Sequence, residues 1–186
     1  MKEHMQNAMI VTPRLVLRAP AMDDAGAIAA ALGEFEVARM LARVPQPYDL
    51  TDARQWLTSI AEQQSAPFER HFAVTLEGRL VGMIGLEKRS DRPEIGYWLE
   101  KSCWGRGVMS EAVGAAVTWF FDTTPFDTLF AGVFADNPAS FKLQEKLGFQ
   151  VTGRSDVFSV GRNAMVAHIE TALTREAFRQ AVPQAA

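Results

Sequence analysis

Only one cysteine, Cys103, occurs in the 186 residues, so no disulfide can form within the chain. There is no Cys-His cluster, and the three histidines, His4, His71 and His168, lack the spacing of metal ligands, so no metal site is expected. The Gly-x-Ser-x-Gly elbow of a Ser-His-Asp hydrolase is missing as well. Apolar runs fall short of the roughly 18 residues that a membrane-crossing helix needs. The start of the chain has no signal-peptide core, so a cytoplasmic protein away from the membrane is expected. Charge of one sign does not dominate: 19 basic against 22 acidic residues leave a net charge of −3, with no global attraction to nucleic acid. Repeats, low-complexity tracts and linkers are absent, and 48% apolar composition suffices for one core, which predicts a single domain over residues 1–186.

The elements that are present alternate in kind. Thr12 to Ala19 alternates as a strand, with Pro13 at its start and Pro20 at its end. Helices are predicted over Ala25 to Leu32, capped by Asp23 or Asp24, and over Ala53 to Gln64, capped by Thr51 or Asp52. Between them, residues 33–50 carry Pro45 and Pro47 and no regular pattern; so long a connection in a compact domain is usually functional. His71 to Leu76 and Leu80 to Leu86 form a hairpin around Glu77-Gly78-Arg79, and a turn at Arg89 to Pro93 leads into a third strand from Glu94.

That third strand leads into the most informative stretch. Trp104-Gly105-Arg106-Gly107 is a glycine turn, and an apolar-periodic run follows from Val108 to Phe121. Strand, turn and helix in this order present unpaired helical N–H groups and the positive dipole end to an anion such as pyrophosphate. No Lys-Ser or Lys-Thr follows Gly107, which excludes a Walker loop. A dinucleotide fingerprint would put its third glycine at Ser110 and its acidic residue at Asp127, ahead of a strand rather than after one. Thr128 to Ala135 is the next strand, so strand-helix-strand implies a locally parallel pair that can splay to admit a ligand.

A second stretch, Asp136 to Phe149, begins with Asn137 as cap and Pro138 in the first turn, and ends at Gly148 after a three-turn helix. Two last strands are predicted at Val151 to Gly153 and Ala164 to Leu173, joined by a loop from Arg154 to Asn163, with a helical tail from Thr174. Cys103, just ahead of a helix start, is read as a structural thiol. Glu94 is either a solvated strand end or a placed acid-base group, with Glu87 as its rival, and Tyr97 and Trp98 are core or pocket wall. Arg39, Arg43, Arg154 and Arg162 are assigned no role.

Trp104-Gly105-Arg106-Gly107-Val108-Met109 resembles the acyl-CoA loop of the GNAT N-acetyltransferases, with Trp104 and Met109 departing from its usual residues as in the ribosomal-protein N-terminal (RimJ/RimL-like) branch. Asn137-x-x-Ser140 followed by Glu-Lys-Leu-Gly-Phe, Thr-Pro-Arg-Leu-Val-Leu-Arg near the start, and Glu-Ile-Gly-Tyr-Trp-Leu before the loop are similar to further signatures of that branch. Together the matches run from about Thr12 to Arg175.

The resemblance implies an α/β fold of the α+β type: a mixed, mostly antiparallel sheet of about seven strands with helices on both faces. It also implies direct acetyl transfer from acetyl-CoA to a primary amine, on a small molecule or a protein N-terminus, by a monomer or homodimer. Glu94 would be the base and Ser140 the group beside the CoA sulfur. Amides of Gly105, Arg106, Gly107, Val108, Met109 and Ser110, with Trp104, would hold the pyrophosphate. Backbone at Tyr97, Trp98 and Leu99 would face the thioester, and Asn137 and Lys142 would meet the rest of the cofactor. A non-catalytic module binding CoA or an amine, or a nucleotide-binding oxidoreductase, are the alternatives.

Overall fold

The computed structural model describes residues 9–62 and 68–182. One eight-stranded sheet runs in the order β1-β2-β3-β4-β5-β6-β8-β7. Its strands are β1 (Ile10–Val11), β2 (Leu15–Arg18), β3 (Arg70–Leu76), β4 (Arg79–Arg89), β5 (Arg92–Leu99), β6 (Thr128–Phe134), β7 (Gln150–Ser159) and β8 (Ala164–Thr174). All neighbours are antiparallel except β5 and β6, which the helix between them makes parallel. Among the described residues six α-helices complete the fold: α1 (Ala25–Gly33), α2 (Phe35–Ala38), α3 (Leu50–Glu62), α4 (Val108–Thr123), α5 (Pro138–Leu147) and α6 (Arg175–Ala181). No described helix is long and apolar enough to cross a membrane.

Both faces of the sheet are covered, as expected. On one face α4 buries Val113, Val117 and Phe120 against Leu17, Phe72, Ile84 and Ile95, and Leu147 of α5 and Phe178 of α6 close the same core. On the other, Ile28 and Leu32 of α1 and Leu57 of α3 pack on Ala73 and Met83. That second layer reaches β5 at Trp98.

Several details differ from the sequence reading, among them α2, which lies in the 33–50 stretch read as irregular. The strand count is eight because Ile10–Val11, ahead of the expected Thr12 to Ala19 strand, forms one of its own and that strand begins only at Leu15: Pro13 has no N–H to extend a ladder, and Thr12 Oγ1 accepts the Leu15 N–H at 3.0 Å, so Ile10 folds back opposite Leu17. Arg154 to Ser159 is strand and not loop, paired with Ile169 to Ala164; its edge position leaves mostly exposed side chains, which removes the alternation that marks a half-buried strand. Helix α3 starts at Leu50 and is capped by Asp49, whose Oδ1 accepts the N–H groups of Thr51 at 2.6 Å and Asp52 at 3.1 Å. Its predicted end at Gln64 lies outside the described residues. Asp24 closes no helical N–H; its carboxylate is paired with Arg18 at 2.7 Å.

Candidate active site

The parallel pair holds together over two residues only, Glu94 with Phe130 and Ile95 with Ala131. From Gly96 to Leu99, β5 has no partner on that side, so its alternate backbone N–H and C=O groups face an opening. A cavity of about 1240 Å³ runs through this splay. Residues alternate along β5, so Tyr97 and Leu99 line it from the α4 face and Glu94, Gly96 and Trp98 from the other.

On the α4 face the glycine turn forms the cavity's end. Gly105 and Gly107 have φ of 72° and 73°, a left-handed backbone that favours glycine, and a Cβ at Gly105 would meet nothing within 4 Å. Conformation therefore demands these glycines before any ligand does. The first helical bond of α4 runs from the Glu111 N–H to the Gly107 carbonyl, which leaves the N–H groups of Val108, Met109 and Ser110 without a partner in the helix. Val108 and Met109 side chains are buried in the core, so only their amides are offered.

The turn is tied down from both sides. The Trp104 indole donates to the Leu99 carbonyl at 2.8 Å, and the buried Cys103 thiol donates to Glu100, which Arg79 grips at 2.6 Å through two nitrogens. Arg14 spans the other side, donating from Nε to Glu111 at 2.6 Å and from Nη1 to the Arg106 carbonyl at 2.9 Å. Glu111 would otherwise repel an anion at this helix end; Arg14 neutralises it. Its carboxyl is pushed up by burial, but bonds from Thr12 and Arg14 outweigh this and hold its pKa below the ordinary range.

Helix α5 supplies the third wall. Asn137 accepts the Ser140 N–H at 3.2 Å, fixing the first turn, and Ser140 Oγ lies 2.8 Å from the Tyr97 hydroxyl. Behind them, the fully buried Gln144 donates to the Tyr97 oxygen at 3.4 Å and accepts from Thr171 at 2.9 Å. Burial raises the Tyr97 pKa against these bonds, so the phenol keeps its proton. Either hydroxyl of this pair can donate; with Tyr97 as the donor, the Ser140 proton is free for a third group.

Across the sheet, β4 and β5 place Glu87 directly opposite Glu94. Glu87 is held by His71 at 3.1 Å, Arg43 at 2.9 Å and Arg89 at 2.8 Å. Burial alone would raise its pKa, but the His71 bond and the charges of Arg89 and Arg43 win and push it far below the usual carboxylate value. Glu94 has one charged contact, Arg89 at 3.1 Å, and lines the cavity. The tip of the β7–β8 hairpin closes this side: Arg162 binds Asp136 at 2.8 Å and the Arg39 carbonyl at 2.7 Å, and the Val160 N–H reaches Ala42 at 2.8 Å.

Of the residues singled out in the sequence, Glu94, Tyr97 to Leu99, Trp104, Gly105, Gly107 to Ser110, Asn137, Ser140 and Lys142 all line this one cavity. Arg106 does not: its side chain is exposed and its carbonyl is taken by Arg14. The roles of Arg14, Glu111, Gln144, Thr171 and Arg162 were missed, because each depends on a partner far away in sequence; Arg14, in the Thr-Pro-Arg-Leu stretch, had a signal that could have been followed.

The family model described as the acetyltransferase (GNAT) domain matches residues 14–150. An uncharacterized N-acetyltransferase of Bacillus subtilis, YoaA, is 30% identical over 154 residues, 78% of this chain and 84% of its own length. The ribosomal-protein-serine acetyltransferase of Escherichia coli is 28% identical over 89 residues, 46% of this chain and 50% of its own. Among solved structures, the ribosomal-protein-S5-alanine acetyltransferase of Vibrio fischeri superposes with a TM-score of 0.77 at 20% identity, covering 91% of this chain and 98% of that one. A ribosomal L7/L12 alpha-N-protein acetyltransferase, RimL, in complex with coenzyme A gives 0.79 at 18% identity, covering 91% and 99%. An oxidoreductase is thereby set aside: the chain is an acetyltransferase and belongs to the GNAT family, with ribosomal-protein acetyltransferases among its homologues.

Proposed function

We propose that the protein moves an acetyl group from acetyl-CoA directly to a primary amine. The observation that carries this reading is the cavity through the β5–β6 splay, which joins the glycine turn and Ser140 on one face to Glu94 on the other. The residues fit the donor: three free amides and two Cβ-free positions at the start of α4 suit a pyrophosphate.

The acetyl thioester would come from the bound acetyl-CoA. Alternate backbone N–H groups between Gly96 and Leu99, freed by the splay, would hydrogen-bond the thioester oxygen as charge builds on it. Ser140, polarised by Tyr97, would give its proton to the departing sulfur. On the opposite face Glu94 would accept the ammonium proton through water; Glu87 holds its charge too firmly to do so. Arg106 would contribute its backbone, while Trp104, Asn137 and Lys142 would flank the cofactor. A protein N-terminus is the acceptor class favoured by the ribosomal-protein acetyltransferases among the relatives.

The test is a panel of primary amines and short peptides with free N-termini, assayed for CoA thiol release and for the N-acetyl product by mass. At 100 times its dissociation constant acetyl-CoA should also stabilise the fold by about 2.7 kcal/mol. An unchanged melt in millimolar acetyl-CoA, with no product from any amine, sinks this reading.

A further inference from the structure

The face that carries Glu94 also carries an imidazole that makes no hydrogen bond to the described protein. His168 on β8 pairs in register with Phe134 on β6, and its ring meets the Phe134 ring edge-on with centroids 5.9 Å apart. Glu94 pairs with Phe130, so by alternation Glu94, Gly132, Phe134 and His168 share one face. The imidazole lies over Gly132, where a Cβ would stand 2.2 Å from Cε1 and 2.4 Å from Nε2. Glycine at 132 thus lets the ring lie across β6 toward the splay. On the far side of the gap Gly96 has open space where a Cβ would be. Two glycines clear the path, and His168 lines the cavity between them.

The two ring nitrogens differ. Nδ1 is buried with no partner, which leaves Nε2 as the nitrogen available to the cavity. Burial pushes the His168 pKa below the ordinary histidine value, against the charges of Glu170 and Glu94 that oppose it. Glu170 is engaged by Ser155 of β7 at 2.9 Å, and Arg162 lies over the neighbouring Phe134 ring at 4.9 Å. In this setting the ring is neutral at neutral pH and keeps a lone pair. Packing on Phe134 would explain a flat ring here, but it explains neither the unpartnered nitrogen nor the cleared approach.

We propose that His168 is a catalytic base of the acetyl transfer, its Nε2 taking the proton from the acceptor ammonium. The proposal rests on the acetyl-transfer reading and deepens its proton path: the ammonium proton reaches the water at Glu94 by way of His168 rather than directly. An N–H bond of the ammonium breaks and its proton passes to Nε2, freeing the amine lone pair. The amine nitrogen bonds the acetyl carbon as the carbon–sulfur bond breaks, the sulfur takes the Ser140 proton, and the nitrogen gives its second proton to water as it becomes the amide. The imidazolium, stabilised by the Glu94 charge, returns its proton to solvent through water at Glu94, and Ser140 is reprotonated from water.

The experiment uses the intact protein, acetyl-CoA and the amine and peptide panel, with His168→Phe to keep a ring and His168→Ala to open a space. His168→Phe is expected to bind CoA normally and to lose roughly 10² to 10⁴ in kcat at pH 7. The acid limb of kcat/KM in the parent protein should bend below the ordinary histidine pKa of about 6.5, and this bend should vanish in His168→Phe. Free imidazole should restore part of the rate of His168→Ala, a response that a packing role does not give. If the parent protein acetylates an amine and His168→Phe matches its rate and pH profile, or imidazole leaves His168→Ala unimproved, His168 is not the base. Parent protein that binds CoA and acetylates no amine overturns the transfer reading, and this proposal falls with it.

Discussion

Arg14 and Glu111, 97 positions apart, form a 2.6 Å ion pair that bridges the first hairpin to the helix bearing the glycine turn. The same guanidinium holds the Arg106 carbonyl, so the turn is braced in the shape an anion needs before the anion arrives. Preorganisation of this kind shows in affinity more than in stability. Arg14→Met should therefore raise the CoA dissociation constant about tenfold, while the loss of an ion pair whose arginine is open to solvent costs about 1 kcal/mol. Calorimetric titration beside urea unfolding separates the two; equal affinity in both proteins would show that the brace is decorative.

At Gly107 the backbone is left-handed and a Cβ would find its nearest neighbour, Arg14 Nη2, at 3.6 Å. The free protein therefore has room for a side chain there. Asn tolerates this conformation better than other residues, so Gly107→Asn should fold with near-parent stability yet bind CoA at least tenfold more weakly, because its side chain would stand where a phosphate approaches. Unimpaired binding by a stable Gly107→Asn would mean that the glycine serves the turn alone.

The two sheet faces should separate kinetically. Glu94→Gln is expected to lower turnover by roughly 10² or more at neutral pH and to recover at high pH, where the amine arrives deprotonated. On the proposed reading Ser140→Ala and Tyr97→Phe would act on the departing sulfur, so their defects should persist at high pH and shrink with a donor whose thiol is more acidic. Full activity of Glu94→Gln across the range would remove it from the proton path.

Arg162 joins the hairpin tip to the 39–42 segment through Asp136 and the Arg39 carbonyl. On the proposed reading, cutting this tie would act on the acceptor side. Arg162→Ala should raise KM for the amine several-fold and leave CoA affinity unchanged; a matched loss in CoA binding would show that the hairpin serves both substrates.

Asp24 gives the stability prediction. It is buried, which pushes its carboxyl up, but the Arg18 bonds, the Ala21 N–H at 2.8 Å and the Arg18 charge outweigh this and lower its pKa. A lowered folded-state pKa stabilises the protein fully above the unfolded value of about 3.9, and that contribution is lost as pH falls through the folded value. Asp24→Asn should thus cost about 1 to 3 kcal/mol at pH 7. The gap to the parent protein in urea unfolding should narrow below about pH 4; a gap independent of pH would assign the loss to packing.

Local chemistry alone carried much of this protein. The Gly105–Gly107 turn, the helix from Pro138 to Gly148, the Glu77-Gly78 hairpin and the parallel β5–β6 pair are legible because caps, left-handed turns and hydrophobic periods act over a few residues. Proline at the turn between β1 and β2, and the exposure of most side chains from Arg154 to Phe158, removed that signal where the reading differed. Tertiary structure decided what the site is made of. Tyr97 reaches Ser140 over 43 positions, Thr171 reaches Gln144 over 27 and Arg162 reaches Asp136 over 26, and no spacing rule encodes such pairs. The sequence offered Glu87 and Glu94 as like carboxylates, and only their neighbours told them apart: two arginines and a histidine hold the charge of Glu87, while Glu94 faces the gap with one arginine beside it. A proton affinity is set by the charges and solvent around a group, and those are assembled only when distant segments fold together.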